Sequence, residues 1–517
     1  MNGNRGCTPS SIDTVGSNGD EAEFRNFIGN YHKGLPHNDL GEVIGSAYQT
    51  LRDATRPPFD PADFPAITLD LGRKLTNPQS GLADDVEGPD PEDLQMRSAP
   101  SVASAEAAAE AVEFYWMALL RDVPFAAFST NPDVQAAADE LSRLTDFTGP
   151  KEGGRVTPRT IFRGCTPGDL TGPYLSQFLL REIPYGSLTI SQQQRTVLPG
   201  IDYLTAFPEW LEIQNGGPNP PDQFDGTRRF IRNMRDMGQY VHVDALYEAY
   251  LNACLILLGM GVPLDPGNPY VDGKPDFVNQ EGFGTFGGPH VLSLVTEVAT
   301  RALKAVWWQK WFVHRRLRPE AYGGLVHLTM SGQKSYPLDQ QVLSSQAVAR
   351  TGAKNGTHLL PMAFPEGSPT HPSYGAGHAT VAGACVTILK AWFDERHPIG
   401  DPVVASEDGL ELVPYTGPDA SELTVGGELN KVAANVAIGR NMAGVHWRSD
   451  YLESLRLGER VAICILFNQR NDYFEDYSFT FTGFDGDRFE IASDGVMENG
   501  KRLPRPCRDK PNGGGDR

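Results

Sequence analysis

The chain has 517 residues, with 45 Lys and Arg against 65 Asp and Glu, a formal charge of −20. That excess of carboxylates argues against nucleic acid or an anionic membrane as partner, since both would repel the surface. The length allows a large core, in one big domain or two intimate ones, and no apolar run reaches the roughly 20 residues of a membrane span.

Residues 1–20 are rich in Gly, Asn and Asp and are expected to form a flexible N-terminal segment. Met1 to Cys7 lack the apolar stretch of a signal peptide. This predicts a soluble protein, cytoplasmic or, if a presequence is missing, periplasmic or secreted. Residues 21–290 read as an N-terminal helical region. Within it, 56–100 is Pro/Asp-rich and looks like surface loop. Ser101 to Leu120 is Ala/Glu-rich with Pro124 beyond its end, which predicts a helix. Residues 145–235 suit long loops with short helices, and Val241 to Leu258 another helix. Pro263 to Gly288 is a loop in which Asp272, Asp276, Asn279 and Gln280 offer hard oxygen ligands for calcium or magnesium; the alternative is a polar loop without an ion. Residues 291–470 are strongly helical and are expected to form a C-terminal helical bundle carrying the functional site. Residues 471–507 follow as a hairpin and C-terminal wrap: Tyr477 to Phe481 alternates like a strand, and Asp485-Gly486 supplies a turn. Residues 508–517 are expected to be a flexible tail. The predicted class is all-α with a small C-terminal β-hairpin. Of six cysteines, Cys254, Cys385 and Cys464 lie in apolar helical patterns and read as core residues. Cys7, Cys165 and Cys507 lie in loop-like sequence and are the disulfide candidates, with the pairing left open.

Several basic groups fall on apolar faces. Ala299, Ala302, Leu303, Val306, Lys310 and Val313 share one helical face, so Lys310 points inward or snorkels to solvent. Arg318 follows, held out of the helical region by Pro319. Leu429, Val432, Ala433, Val436 and Ala437 form another stripe whose next member is Arg440. A buried guanidinium needs an anion, either an internal carboxylate or a bound ligand. His446 and Asp450 are spaced to pair through one helical turn, which would fix the imidazole tautomer. Pro365 to Thr380 carries His371 and His378 in a Gly/Pro/Ser-rich loop that runs into an apolar helix ending at Trp392. His378 falls on the apolar stripe of Val381, Ala382, Cys385 and Leu389. A helix start behind such a loop offers free N–H groups to an anion, and histidine adds an acid/base near working pH. One shared oxyanion accounts for all these groups together.

Lys310…Arg318-Pro319, Gly375-Ala376-Gly377-His378 and Arg440-x5-His446-x3-Asp450 together resemble the oxyanion signature of vanadium-dependent haloperoxidases and the related acid phosphatases. The Lys310–Arg318 spacing, His371, and the stretches Gln309–Glu320 and Gln280–Pro289 are similar to the algal and cyanobacterial bromoperoxidase type. The likeness is clear over about 265–470, and Phe27 to Ala54 is its most family-like N-terminal piece. The resemblance implies two four-helix bundles and bound vanadate. It implies His446 as the vanadium ligand, Lys310, Arg318, Arg440 and the Gly377 N–H around the oxygens, and His378 as proton acceptor or donor. Lys310 would polarise the peroxide, and His371 would tune protonation and halide preference. The implied substrates are hydrogen peroxide, halide (bromide, with chloride and iodide as further candidates) and small organic nucleophiles. The implied assembly is a homo-oligomer, a dimer or a dodecamer built from dimers. One departure is Ala376, where the family usually carries a vanadate-binding serine. Two alternatives share the same residues: a vanadate-inhibited acid phosphatase with His446 as nucleophile, and a non-catalytic helical anion-binding protein.

Overall fold

A computed structural model describes residues 15–509. Cys7 and most of the two expected flexible ends lie outside the described residues. Among the helices of the described residues, those that build the core around the site are α1 (Ala105–Leu119), α2 (Pro132–Leu141), α3 (Met234–Tyr240), α4 (Glu248–Met260), α5 (Gly288–Trp308), α6 (Pro319–Met330), α7 (Gln346–Asn355), α8 (Gly377–Trp392), α9 (Val425–Met442) and α10 (Arg448–Gln469). α1 starts where the Ser104 hydroxyl accepts the Ala107 N–H, a side-chain cap on a run of strong helix formers. It is buried on every side, Glu106, Glu110 and Glu113 included.

α8 is the centre of one bundle, packed against α5, α9 and α10. α1 is the centre of a second group with α2, α6 and α7, and also touches α9. The second group joins residues 105–141 to 319–355, so the packing does not divide at residue 290. One apolar core runs through both, from Ile28 to Val496. α8 and α10 cross backbone to backbone. A Cβ added to Gly383 would strike the Leu455 carbonyl, and one added to Gly458 would strike the Thr380 carbonyl.

Three local expectations change. The helix predicted from Val241 to Leu258 begins only at Glu248, as α4; residues 241–247 are a non-helical break between it and α3, which ends at Tyr240. The chain leaves the helical path there because two groups are drawn to the site: the Val241 carbonyl accepts Arg440, and the Asp244 carboxylate meets His378. Cys464 is not a plain core residue but is bonded to Cys507, which clips the C-terminal segment onto α10. Cys254 and Cys385 are buried and unbonded. The small C-terminal hairpin extends to a four-stranded antiparallel sheet, β1 (Ser478–Thr482), β2 (Arg488–Ala492), β3 (Gly495–Glu498) and β4 (Lys501–Arg502). The Asp485-Gly486 turn joins its first two strands, with Gly486 at φ +87°. Three two-stranded pairs occur elsewhere, two of them within 183–229.

The ends of the described chain are anchored. Asp20 is buried and accepts the Val102 N–H at 2.9 Å. Arg508 pairs with Asp93 and Asp509 with Arg460. Glu21 takes Arg315 at 3.0 Å and the Tyr48 hydroxyl at 2.8 Å. Burial alone would raise the Glu21 pKa, but the Arg315 hydrogen bond and charge outweigh it and hold it at about 2.

Two outcomes are expected. A depressed carboxylate stabilises the fold above its unfolded pKa of 4.5 and loses that effect as pH falls toward 2. Glu21→Gln should therefore remove roughly 3 kcal/mol at neutral pH and flatten the acid limb of a pH–stability profile. Gly458→Ala gains about 1 kcal/mol of helix propensity yet should lower the calorimetric melting midpoint, because overpacking the α8–α10 crossing costs about 1–3 kcal/mol or more.

Candidate active site

α5 does not end at Trp308. It widens into a π-helical turn, Gln309–His314, closed by Arg315 in the left-handed region at φ 41°. This turn carries Lys310 into the core, where it is 0 % exposed. Its ammonium donates to the Pro372 and Ser373 carbonyls at 2.8 and 3.0 Å. Arg318 sits in an extended conformation just ahead of Pro319 and is 1 % exposed. It donates to the carbonyls of His371 (2.9 Å) and Val445 (2.6 Å) and reaches His446 Nε2 at 3.0 Å and His371 Nδ1 at 2.9 Å. Arg440, on the last turn of α9, donates to the Val241 carbonyl and lies 5.4 Å from the Phe364 ring centroid, while its Nε is buried without a partner. Lys310 thus does not snorkel, and the hydrogen bonds of all three cations go to carbonyls and imidazoles rather than carboxylates. Burial, then mutual repulsion, holds Lys310 well below its usual pKa and lowers Arg318 to about 9; burial alone lowers Arg440, to about 10. A group of buried positive charges in this state is stabilised by an anion among them.

His446 precedes α10. Its Nδ1 lies 2.8 Å from Asp450 Oδ2, the pairing expected from the spacing. Asp450 also accepts the Trp447 N–H (3.0 Å), Arg316 Nη1 (2.9 Å) and the Ser373 hydroxyl. A carboxylate hydrogen-bonded through both oxygens and facing Nδ1 favours the proton on that nitrogen and leaves the Nε2 lone pair facing Arg318. Burial, then the charges of Arg318, Lys310 and Arg440, keeps the imidazole neutral. A neutral nitrogen donor beside three cations with no carboxylate hydrogen bond, and an orphaned guanidinium N–H, suits a tetrahedral or five-coordinate oxyanion with an electrophilic centre. Vanadate is such a group, and the residues fit it.

His378 is the second residue of α8. It was expected on the buried stripe, but its side chain is 20 % exposed, and Nε2 lies 2.9 Å from Asp244 Oδ1. The difference follows from its place in the first helical turn, where the stripe has reached the mouth of the site. His371 is buried against Trp307, with ring centroids 4.8 Å apart. Burial, then Lys310, Arg318 and His446, holds its pKa well below the ordinary value. α8 opens at Gly377 with no side-chain cap, leaving its first N–H groups to be met from outside the helix. Ala376, at the N-cap, donates its N–H to Ser454 Oγ at 2.7 Å and brings only a methyl group to the site.

The local sequence gave no sign of the braces. Lys33 pairs with Glu320 at 2.7 Å and donates to the Glu366 and Ser368 carbonyls at 2.6 Å each, both in the loop that carries His371. Gly367, at φ +66°, lies so close to Glu320 that a Cβ would collide with its carboxylate. Asp244 comes from the unexpected break between α3 and α4. Long sequence separation hides all of these. Asp272, Asn279 and Gln280 are exposed and Asp276 partly so, on the loop around Pro275–Val278. Among the described residues no group of three or more His, Cys, Asp or Glu side chains is arranged to hold a metal ion.

Comparison with known proteins bears on the whole chain. Residues 291–475 match the family described as the VCPO second helical-bundle domain. The vanadium-dependent bromoperoxidase of Corallina pilulifera is 41 % identical, over 94 % of this chain and 96 % of its own length. That of Ascophyllum nodosum is 37 % identical over 90 % and 87 %. The homohexameric structure of the second vanadate-dependent bromoperoxidase from Ascophyllum nodosum superposes with a TM-score of 0.89 at 33 % identity, covering 97 % of this chain and 90 % of that one. Fold, three inward cations and a tethered neutral imidazole thus coincide with near full-length identity, and the chain belongs to the vanadium-dependent bromoperoxidases.

Proposed function

We propose that the chain catalyses vanadate-dependent oxidation of halide by hydrogen peroxide, bromide foremost, with chloride and iodide as further candidates. The product is hypohalous acid, which halogenates small organic nucleophiles. The observation that carries this reading is the burial around His446 of Lys310, Arg318 and Arg440, none bonded to a carboxylate and all acting on the imidazole by charge, with Arg318 3.0 Å from its Nε2. His446 Nε2 would ligate vanadium, and Lys310, Arg318, Arg440 and the Gly377 N–H would hold the oxygens. When bound, vanadate supplies a Lewis acid that activates peroxide without a change in oxidation state. The protein's own groups do the rest. His378, the partly exposed imidazole of the set, would accept a proton from hydrogen peroxide and return it as a general acid. Asp244 steadies the imidazolium that this creates. Lys310 would hold one of the cofactor's oxygens with its ammonium and supply positive charge to it. His371, wedged between Trp307 and Arg318, tunes the local charge and the halide preference.

The roles set an order of loss. His446→Ala should abolish bromide oxidation while leaving helical content and assembly intact. His378→Ala should lose roughly 10²–10⁴ in turnover yet still bind vanadate. His371→Ala should be milder and shift the pH or halide profile. Titrating apo-protein with vanadate while following bromination of a phenol dye gives affinity and rate separately. Full activity of His446→Ala at saturating vanadate would refute the assignment. Phosphate-ester turnover that vanadate inhibits, by the same His446 as nucleophile, would favour a phosphatase instead.

A homo-oligomer built from dimers, up to a dodecamer, belongs to the same reading; the Ascophyllum relative is a homohexamer. A calcium or magnesium ion on Asp272, Asp276, Asn279 and Gln280 is a further element of it. The Cys464–Cys507 bond supports an oxidising, periplasmic or extracellular setting, and no helix among the described residues is long and apolar enough to cross a membrane. Light scattering with metal analysis of protein purified without added salts checks assembly and ion together. A monomer refutes the first, and absence of both metals refutes the second.

A further inference from the structure

Asp450 is not an isolated partner of His446. Its Oδ1 accepts Arg316 Nη1 at 2.9 Å, and Arg316 Nη2 reaches Glu110 Oε2 at 3.1 Å. Glu110 belongs to α1, in the other bundle, and its second oxygen accepts the Ser449 N–H at the start of α10. Arg316, Glu110 and Asp450 are all buried. The guanidinium is further fixed by the Trp447 ring, 4.5 Å from its centroid. One arginine is therefore shared by two carboxylates, and only one of them touches the imidazole.

We propose that Glu110 is a positioning residue for the bromoperoxidase reaction, acting on His446 through Arg316 and Asp450 across the two bundles. The proposal rests on the reading of His446 as the vanadium ligand. Glu110 draws part of the Arg316 charge away from Asp450. Asp450 is then the stronger acceptor for the His446 Nδ1–H, and the His446 Nε2 lone pair is the better donor. Without the Glu110 carboxyl as its second acceptor, Arg316 leans wholly on Asp450, and the nitrogen ligand weakens although every group that touches the oxyanion is unchanged. Glu113 is the natural control. It lies one turn along the same helix and is equally buried, but its partner is Arg448 rather than Arg316.

The test measures anion affinity of apo-protein by calorimetry, on the folded oligomer collected by gel filtration, with vanadate and with inorganic phosphate. Vanadate uses the nitrogen bond; phosphate, bound as a free anion, uses only the cations. Glu110→Gln should weaken vanadate binding 10–100-fold, the usual effect of changing a group behind a metal ligand, and leave phosphate affinity within about twofold. Glu113→Gln should leave both affinities near wild type. Glu110→Asp, whose carboxylate is one methylene short of Arg316, should act in the same direction as Glu110→Gln and serves if that variant does not fold. Unchanged vanadate affinity in the variants, or an equal loss for phosphate and for Glu113→Gln, would overturn the proposal. A wild-type protein that binds vanadate no more tightly than phosphate would instead refute the nitrogen ligation itself, and the coupling with it.

Discussion

Three buried positive charges without carboxylate partners are the constraint on which the rest of this molecule depends. Taken alone, such a group is destabilising, since each ion loses its hydration and repels its neighbours. The fold tolerates it by surrounding each cation with carbonyl dipoles: Pro372 and Ser373 for Lys310, His371 and Val445 for Arg318, Val241 for Arg440. Dipoles stabilise the charges without neutralising them. A resident carboxylate would have ended the site's ability to hold an external anion. The carboxylates nearby are instead kept one step back, Asp450 behind His446 and Asp244 behind His378.

The carbonyls that do this work are in loops, and loops need support. The 365–376 segment is held by the Lys33–Glu320 pair, by Ser373 on Asp450 and by Ala376 on Ser454. Each brace comes from a different element. The N-terminal half of the chain therefore takes part in the chemistry without lining it: residues near 33 fix the loop of His371, and α1 reaches the partner of His446 through Arg316. This explains why the packing joins 105–141 to 319–355 rather than separating two halves.

Helix periodicity made α1, α5, α8, α9 and α10 legible, and the inward Lys310 and Arg440 with them, because a basic residue on an apolar stripe is a local signal. The His446–Asp450 pair was legible for the same reason, since its geometry is one helical turn. What failed was non-local. The break at 241–247 is imposed by Arg440 and His378, two hundred and more than one hundred residues away in the chain, and no window of local sequence contains them. Cys464 looked like core because its helix is apolar there; that face is covered by a segment returning from residue 507. Glu110 and Lys33 carried no motif at all. The short strand pairs within 183–229 gave little alternation, and their partial exposure leaves the pattern weak.

The crossing of α8 and α10 at Gly383 and Gly458 has a consequence for speed as well as for stability. One helix begins with Gly377 and His378; the other begins one residue after His446. With their backbones in direct contact, these two origins are set at a fixed separation, with no soft layer of side chains between them. The pocket has little disorder left to surrender when an anion enters. Capture should then be governed by how fast the ion sheds its water and reaches the mouth, in a molecule whose overall negative charge repels it until the last few ångströms.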